Sequence, residues 1–201
     1  MRALQSAFGV HFAVVLALTV GGGGSAIEAF APGDRFATNL HLLGALRGVD
    51  VLMGGEWWRL VTAIFAHFGA IHLFFNSMAL NAVAPEVERN LGRLRFLVVF
   101  LLGGGLANVL SLYWHGVAFF QVGASGAICA LIGALYSIAR MRGGMYDQIV
   151  TGVVKRWVMM IVIFGFLVPG VDNIAHLGGM AIGAILARIV GRPRRRGTWV
   201  G

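Results

Sequence analysis

Charge is scarce in this chain. Asp, Glu, Lys and Arg together make up 12% of its 201 residues, where a soluble domain usually carries about 25%. Too little polar surface remains to dress a water-soluble globule, so lipid is the expected solvent. Acidic residues are the scarcer sign, 8 against 16 basic. There is one cysteine, Cys129, set in an apolar run. A single cysteine excludes an intrachain disulfide and a cysteine-built zinc cluster, and it leaves the redox compartment unreadable. Four prolines form no Pro-rich linker. No repeat of 20–50 residues suggests a solenoid, and no second, soluble domain stands out.

What the chain does have is apolar length. Hydrophobic residues make up 58% and the mean hydropathy is +0.82. A membrane-crossing helix needs roughly 20 mostly apolar residues. Ala3 to Ile27, Leu60 to Pro85 and Phe96 to Ala139 hold no Asp, Glu, Lys or Arg, and the last stretch is long enough for two crossings turning at His115 and Gly116. Ile149 to Val171 is interrupted only by Lys155 and Arg156, and Asn173 to Ala187 is followed by Arg188. Such long side chains can snorkel to the interface. The expectation is an all-α integral membrane protein, one domain over 1–201, with six spans near 5–27, 66–85, 94–114, 124–140, 149–169 and 173–190.

The net charge of +8 would suggest nucleic acid in a soluble protein. Here the basic residues flank the apolar stretches, so they speak of topology, and no nucleic-acid partner is expected. With the N-terminus inside, thirteen of the sixteen Lys and Arg fall on cytoplasmic segments and three, Arg35, Arg47 and Arg59, fall outside. The positive-inside rule then places both termini in the cytoplasm. The first span also fits a second reading. A basic start, an apolar core and Gly24, Ser25 and Ala26 suit a secretory signal peptide, whose removal would leave the remaining orientation unchanged. Outside lies a long segment from Glu28 to Arg59, ending in Trp57 and Trp58 at headgroup level. The basic tail Arg192 to Arg196 reads as an inner anchor on anionic lipid.

Polar side chains inside spans are costly, so each is a functional hypothesis. Three clusters occur. His67, His72 and Asn76 open the second span. Gly123-Ala124-Ser125-Gly126-Ala127 opens the fourth. Asp172, Asn173 and His176 open the sixth, followed by Leu177-Gly178-Gly179. Spans two, four and six all run from outside to inside, so the three clusters share a depth just below the outer surface. Taken singly, a span histidine is usually a satisfied core residue and a span serine usually bonds its own helix. Shared depth favours a site instead. His11 and His115 read as structural or interfacial, and His41 as a loop residue.

The chemistry of the set is nucleophilic catalysis. A serine hydroxyl attacks poorly until a base takes its proton, and Ser125 with His176 supplies that pair. A developing oxyanion needs preorganised donors. His72 and Asn76, four apart, share one helix face, and the Ser125 N–H sits at a helix N-terminus where free donors favour negative charge. The dyad needs helices four and six to touch. Small residues permit that in lipid: Gly179, Gly183 and Ala187 on one, Gly126, Ala130, Gly133 and Ala134 on the other.

These pieces resemble the rhomboid family of intramembrane proteases. The matching residues are Trp58-Arg59; His67; His72-Leu73-Phe74-Phe75-Asn76; Gly123-Ala124-Ser125-Gly126-Ala127; and Ala175-His176-Leu177-Gly178-Gly179 with Gly183, across about 56–190. The resemblance implies a six-helix bundle with a water-filled cavity open to the outside. It implies a serine endopeptidase that cleaves in or near transmembrane segments of membrane protein substrates through an acyl-enzyme. Ser125 would be nucleophile and His176 base. Asn76, His72 and the Ser125 N–H would form the oxyanion hole, and Arg59 would stabilise the outer loop. His67 reads as support for that loop. No metal or organic cofactor is implied. Substrate would enter sideways past a mobile fifth helix.

The chain departs from the family in one respect. Many members carry an aromatic four residues after the serine, stacked on the base, where this chain has Cys129. An acidic third member is not part of the family's dyad, so Asp172, one turn before His176, is not promoted. Gly-Ala-Ser-Gly-Ala also lacks the second glycine of an α/β-hydrolase elbow. Two other readings stand beside the enzyme: a catalytically weak or inactive relative that binds transmembrane clients, and a small transporter. Both dyad residues are present, against the first. No repeated halves with interrupted helices are evident, against the second. Compact size and the lack of organelle-targeting features point to a bacterial inner membrane.

Overall fold

The computed structural model describes residues 34–168 and 170–191, with Ala13 alone before them. The expected span 5–27, His11, the segment around Gly24 and the tail Arg192 to Arg196 lie outside the described residues.

The described chain is mostly helical. A lobe comes first, termed outer after the orientation expected from the sequence: α1 (Asp34–Leu42), β1 (Leu46–Arg47), α2 (Gly48–Leu52) and α3 (Arg59–Thr62). Then come α4 (Gly69–Leu91), α5 (Arg93–His115) with a 3₁₀ turn at Gly116–Ala118, β2 (Phe120–Gln121), α6 (Ser125–Arg142), α7 (Gly144–Leu167) and α8 (Asn173–Ile189). The stretch from Arg93 through Ala118 and the helix Gly144–Leu167 are long and apolar enough to cross a membrane, with mean hydropathies of 2.0 and 1.8, and Asn173–Ile189 is a shorter apolar helix. α4 continues through Pro85 to Leu91, whereas the sequence reading stopped that span at Pro85. Proline costs one helical N–H bond, a loss that helices packed in a membrane protein tolerate. Gly92, at φ 84°, ends α4 and lets α5 turn back at once, a conformation L side chains rarely adopt.

α6 is the central helix. Ala127, Ala130, Leu131, Ala134 and Ile138 on it are buried, and α4, α5, α7 and α8 surround it. Its closest neighbour is α8. A Cβ placed on Gly133 would lie 1.8 Å from the Met180 carbonyl oxygen, and one on Gly179 would lie 2.4 Å from that of Gly126. Backbones approach this closely only where side chains are missing. α5 packs on α6 in the same way, Gly103 against Ala130 and Gly104 against Ala127. α7 is peripheral, with only Val154 buried.

The helix ends away from this lobe are tied by polar groups. The Tyr146 hydroxyl donates to Glu86 Oε1 (2.7 Å), and Arg142 donates to Asn90 Oδ1 (2.6 Å) while stacking on the Tyr146 ring. Arg140 pairs with Asp147 at 2.5 Å. These bonds join the end of α4, the end of α6 and the start of α7. Arg188 does not reach outward alone: its Nε donates to Ser137 Oγ at 3.1 Å.

The outer lobe has its own small cores. Phe36 and Leu40 pack with Ala45, Ala66 and Val122, and Leu46 and Val51 pack with Ala63, Leu112 and Phe119. His41, read from sequence as a loop residue, is in the last turn of α1. β1 and β2 pair antiparallel, Leu46 opposite Gln121 and Arg47 opposite Phe120. Arg59 braces the lobe. It is 5% exposed, donates to the His41 and Ala45 carbonyls (2.7 and 2.9 Å) and to Glu56 (2.6 Å), and stacks on Trp58.

Candidate active site

A cavity of about 320 Å³ opens between α4, α6, α7 and α8. His72 and Asn76 from α4, Ser125 and Cys129 from α6, and Asp172 and His176 at the start of α8 all border it. Three helix starts build it, because α4, α6 and α8 each begin at this end. Phe68, Phe75, Phe120, Ile161 and Phe164 make most of the remaining wall apolar.

Ser125 is the first residue of α6. The first N–H groups of a helix have no partner within it, so the Ser125 amide is a free donor beside its own hydroxyl. The turn before it depends on Gly123. Gly123 N–H donates to the Ala63 carbonyl at 2.9 Å, its φ is +123°, and a Cβ there would lie 2.7 Å from the His72 ring. Backbone sign and space both demand glycine. Gly126 faces Ala107 and Ala175, which lets α6 start between α5 and α8.

His176 is 8% exposed, and its Nδ1 is buried with no hydrogen-bond partner among the described residues. Asp172 caps the helix that carries it, Oδ1 accepting from the Ile174 and Ala175 N–H groups at 2.9 and 3.1 Å. Asn76 is 6% exposed, and one of its amide hydrogens goes to the His72 carbonyl (3.0 Å). An Asn amide carries a second hydrogen. His72 Nδ1 accepts from the Phe68 N–H at 3.3 Å, an arrangement that puts any ring proton on Nε2. The His67 ring meets the His72 ring edge-on at 5.2 Å, and its Nδ1 lies 3.0 Å from the Phe65 carbonyl.

Of the residues expected at the site, Ser125, His176, Asn76 and His72 line one cavity; Gly123, Gly126, Gly179 and Gly183 hold the helices around it; His67 adjoins it; Arg59 stands in the outer lobe. Among the described residues no hydrogen bond joins the Ser125 hydroxyl to His176. Catalytic hydrogen bonds are commonly long or open until substrate is bound. Asp172, not promoted from sequence, borders the cavity, and Ile161 and Phe164 join it with no signal in the sequence. Both lie on an apolar helix, where nothing in their spacing separates a cavity wall from an exposed face.

A helical domain with a serine, two histidines and an asparagine around one cavity defines the class. Residues 54–193 match the rhomboid domain, and the chain belongs to the rhomboid family. It is 36% identical over 160 residues to the rhomboid protease GluP of Bacillus subtilis, covering 79% of this chain and 31% of that protein. It is 32% identical to RHOMBOID-like protein 4 of Arabidopsis thaliana over 75% of this chain and 38% of the relative. With the rhomboid protease AarA of Providencia stuartii it shares 28% identity, over 78% of this chain and 64% of AarA. The chain thus spans between about a third and two-thirds of each of these relatives.

Proposed function

We propose that this protein is an intramembrane serine endopeptidase that cleaves membrane protein substrates in or near a transmembrane segment. The observation that carries this is the meeting of Ser125, His176, Asn76 and His72 in one cavity. His176 takes the Ser125 proton as the hydroxyl oxygen attacks the substrate carbonyl. The oxyanion is held by the Ser125 N–H, the second amide hydrogen of Asn76 and the His72 Nε2–H. His176 then gives its proton to the departing amine, and the acyl-enzyme is hydrolysed by a water that His176 deprotonates in turn.

The same reading places six spans in the bilayer, both termini in the cytoplasm and the cavity facing out, in a bacterial inner membrane. α7 supports entry from the lipid: Val154 is its one buried residue, and Ile161 and Phe164 on it border the cavity together with Phe75 of α4.

The test is labelling of detergent-purified protein with a fluorophosphonate probe. Wild type should label, and Ser125→Ala and His176→Ala should not. A folded wild type that never labels would end the protease reading and favour the client-binding one.

A further inference from the structure

Most basic side chains in the helical bundle have a partner. Arg89 meets Glu86, Arg140 meets Asp147, Arg142 meets Asn90 and Arg188 meets Ser137. Arg93 and Arg95 have none among the described residues, but they stand in the first turn of α5, at a helix end. Lys155 and Arg156 differ from all of these. Both are exposed, and neither has a hydrogen bond or ion pair among the described residues. They are the twelfth and thirteenth of the 24 residues of α7, about 16 Å along the helix from its start. Cations within membrane-crossing helices usually turn to the bundle interior and find a partner there. These two lie instead on the open side of a helix whose one buried residue is Val154.

Their surroundings suit an anion that carries an apolar chain. Helical side chains lean toward the helix N-terminus, so Lys155 and Arg156 reach back over the residue three and four positions earlier. That residue is Gly152, and a Cβ placed on it would meet nothing within 4 Å. Glycine inside a helix costs about 1 kcal/mol relative to alanine; here it leaves an open notch beneath an ammonium and a guanidinium. One turn further back Gln148 is exposed, and its amide is another donor. Beyond the cations the same face turns apolar, with Met159 and Ile163 57% and 51% exposed. Asp147, the one acidic residue of α7, is held by Arg140, so the face keeps two positive charges.

We propose that Gln148, Gly152, Lys155 and Arg156 seat the headgroup of one anionic phospholipid from the leaflet away from the outer lobe. The donors lie toward the α7 end that is tied to α4 and α6, and the apolar residues lie toward mid-membrane. A phospholipid of that leaflet has the same order, headgroup first and acyl chains after. Its phosphate accepts from Lys155, Arg156 and Gln148 over the Gly152 notch, and one chain runs along Met159 and Ile163. A zwitterionic headgroup would bring no net charge to offset the two cations. The inference does not depend on the protease reading.

The experiment is native mass spectrometry of the full chain in detergent, titrated with phosphatidylglycerol or phosphatidylcholine, with a melting curve for each variant. Wild type should take up one phosphatidylglycerol about ten- to thirty-fold more tightly than phosphatidylcholine, as expected for two cations near an anionic headgroup. Lys155→Gln/Arg156→Gln should lose that preference and keep its phosphatidylcholine affinity. Arg93→Gln/Arg95→Gln, with the same loss of charge elsewhere, should keep the preference. Gly152→Leu, which fills the notch and alters no charge, should weaken phosphatidylglycerol alone. All three variants change exposed positions and should melt near wild type. Inorganic phosphate in excess should not displace the lipid, because it lacks the chain. The inference is overturned if Lys155→Gln/Arg156→Gln binds phosphatidylglycerol as wild type does. It is equally overturned if the Arg93/Arg95 variant loses as much, which would make the attraction one of overall charge, or if Gly152→Leu binds unchanged, which would leave no seat.

Discussion

Gly183 of α8 faces Ala130 of α6 so closely that a Cβ on Gly183 would lie 1.8 Å from the Ala130 carbonyl oxygen. This is one rung of a ladder, with Gly179 against Gly126 above it. Because His176 stands one turn above the ladder, the spacing of His176 and Ser125 is set by backbone contact rather than by adaptable side chains.

Gly183→Leu should therefore act on the site from a distance. The obstacle is a backbone carbonyl and cannot rotate away, so the helices must part. Overpacking typically costs about 1–3 kcal/mol, and the variant should melt lower and lose labelling at Ser125. Gly152→Ala, on open α7 surface with nothing near its would-be Cβ, should leave both unchanged. Thermal melts and probe labelling of the two variants check this, and a fully active Gly183→Leu would reject the packing argument.

Asn76→Ala removes an amide whose one hydrogen already holds the His72 carbonyl. If the second hydrogen meets the oxyanion, the loss appears in the transition state only. The expected outcome is a fall of about 10²–10³-fold in kcat with little change in KM. An effect confined to KM would assign Asn76 to substrate binding instead.

The gathering of four polar residues in one cavity was legible because they break a strong pattern. Ser125, His176, His72 and Asn76 are conspicuous in apolar helices, and alternating topology alone puts them at one depth. The small residues of α6 and α8 were legible by their spacing. Their counterparts on α5, Gly103 and Gly104, were not, since neighbouring glycines in an apolar run show no face until the partner helix is known. The outer lobe was missed for a related reason. Phe36, Leu40, Leu46 and Val51 carry no sustained period, and they are buried by Ala66, Leu112, Phe119 and Val122 from distant parts of the chain. That Asp172 both caps α8 and borders the cavity shows only in the structure, since its spacing alone fits any helix cap.

Arg59 should resist even conservative replacement. Its guanidinium bonds two carbonyls and a carboxylate while stacking on Trp58, and an ammonium cannot reproduce that fork. Arg59→Lys should leave a buried carbonyl unpaired, at about 1–3 kcal/mol. Hydrogen exchange should rise across Phe36 to Leu52 and remain unchanged in α6. Equal protection in both proteins would show that the lobe is held by its apolar contacts alone.

Acid should loosen the same lobe through His41. Burial, and next the nearby Arg59 guanidinium, hold its pKa below the ordinary histidine value, while Asp50, 3.3 Å from Nδ1, opposes them less strongly. Arg47 adds to the lowering and Glu56 to the opposition. The folded lobe therefore prefers neutral His41, and the unfolded segment binds the proton more tightly. By linkage the stabilisation is complete above the unfolded value of about 6.5 and declines as pH falls through it toward the lower folded value. Exchange of the amides from Phe36 to Leu52, corrected for intrinsic rate, should speed up between about pH 7.5 and about pH 5.5. In His41→Gln, which has nothing to protonate, that dependence should flatten. If the variant kept the full acid response, the titrating group would lie elsewhere, and Asp50 and Glu56 would be the next to replace.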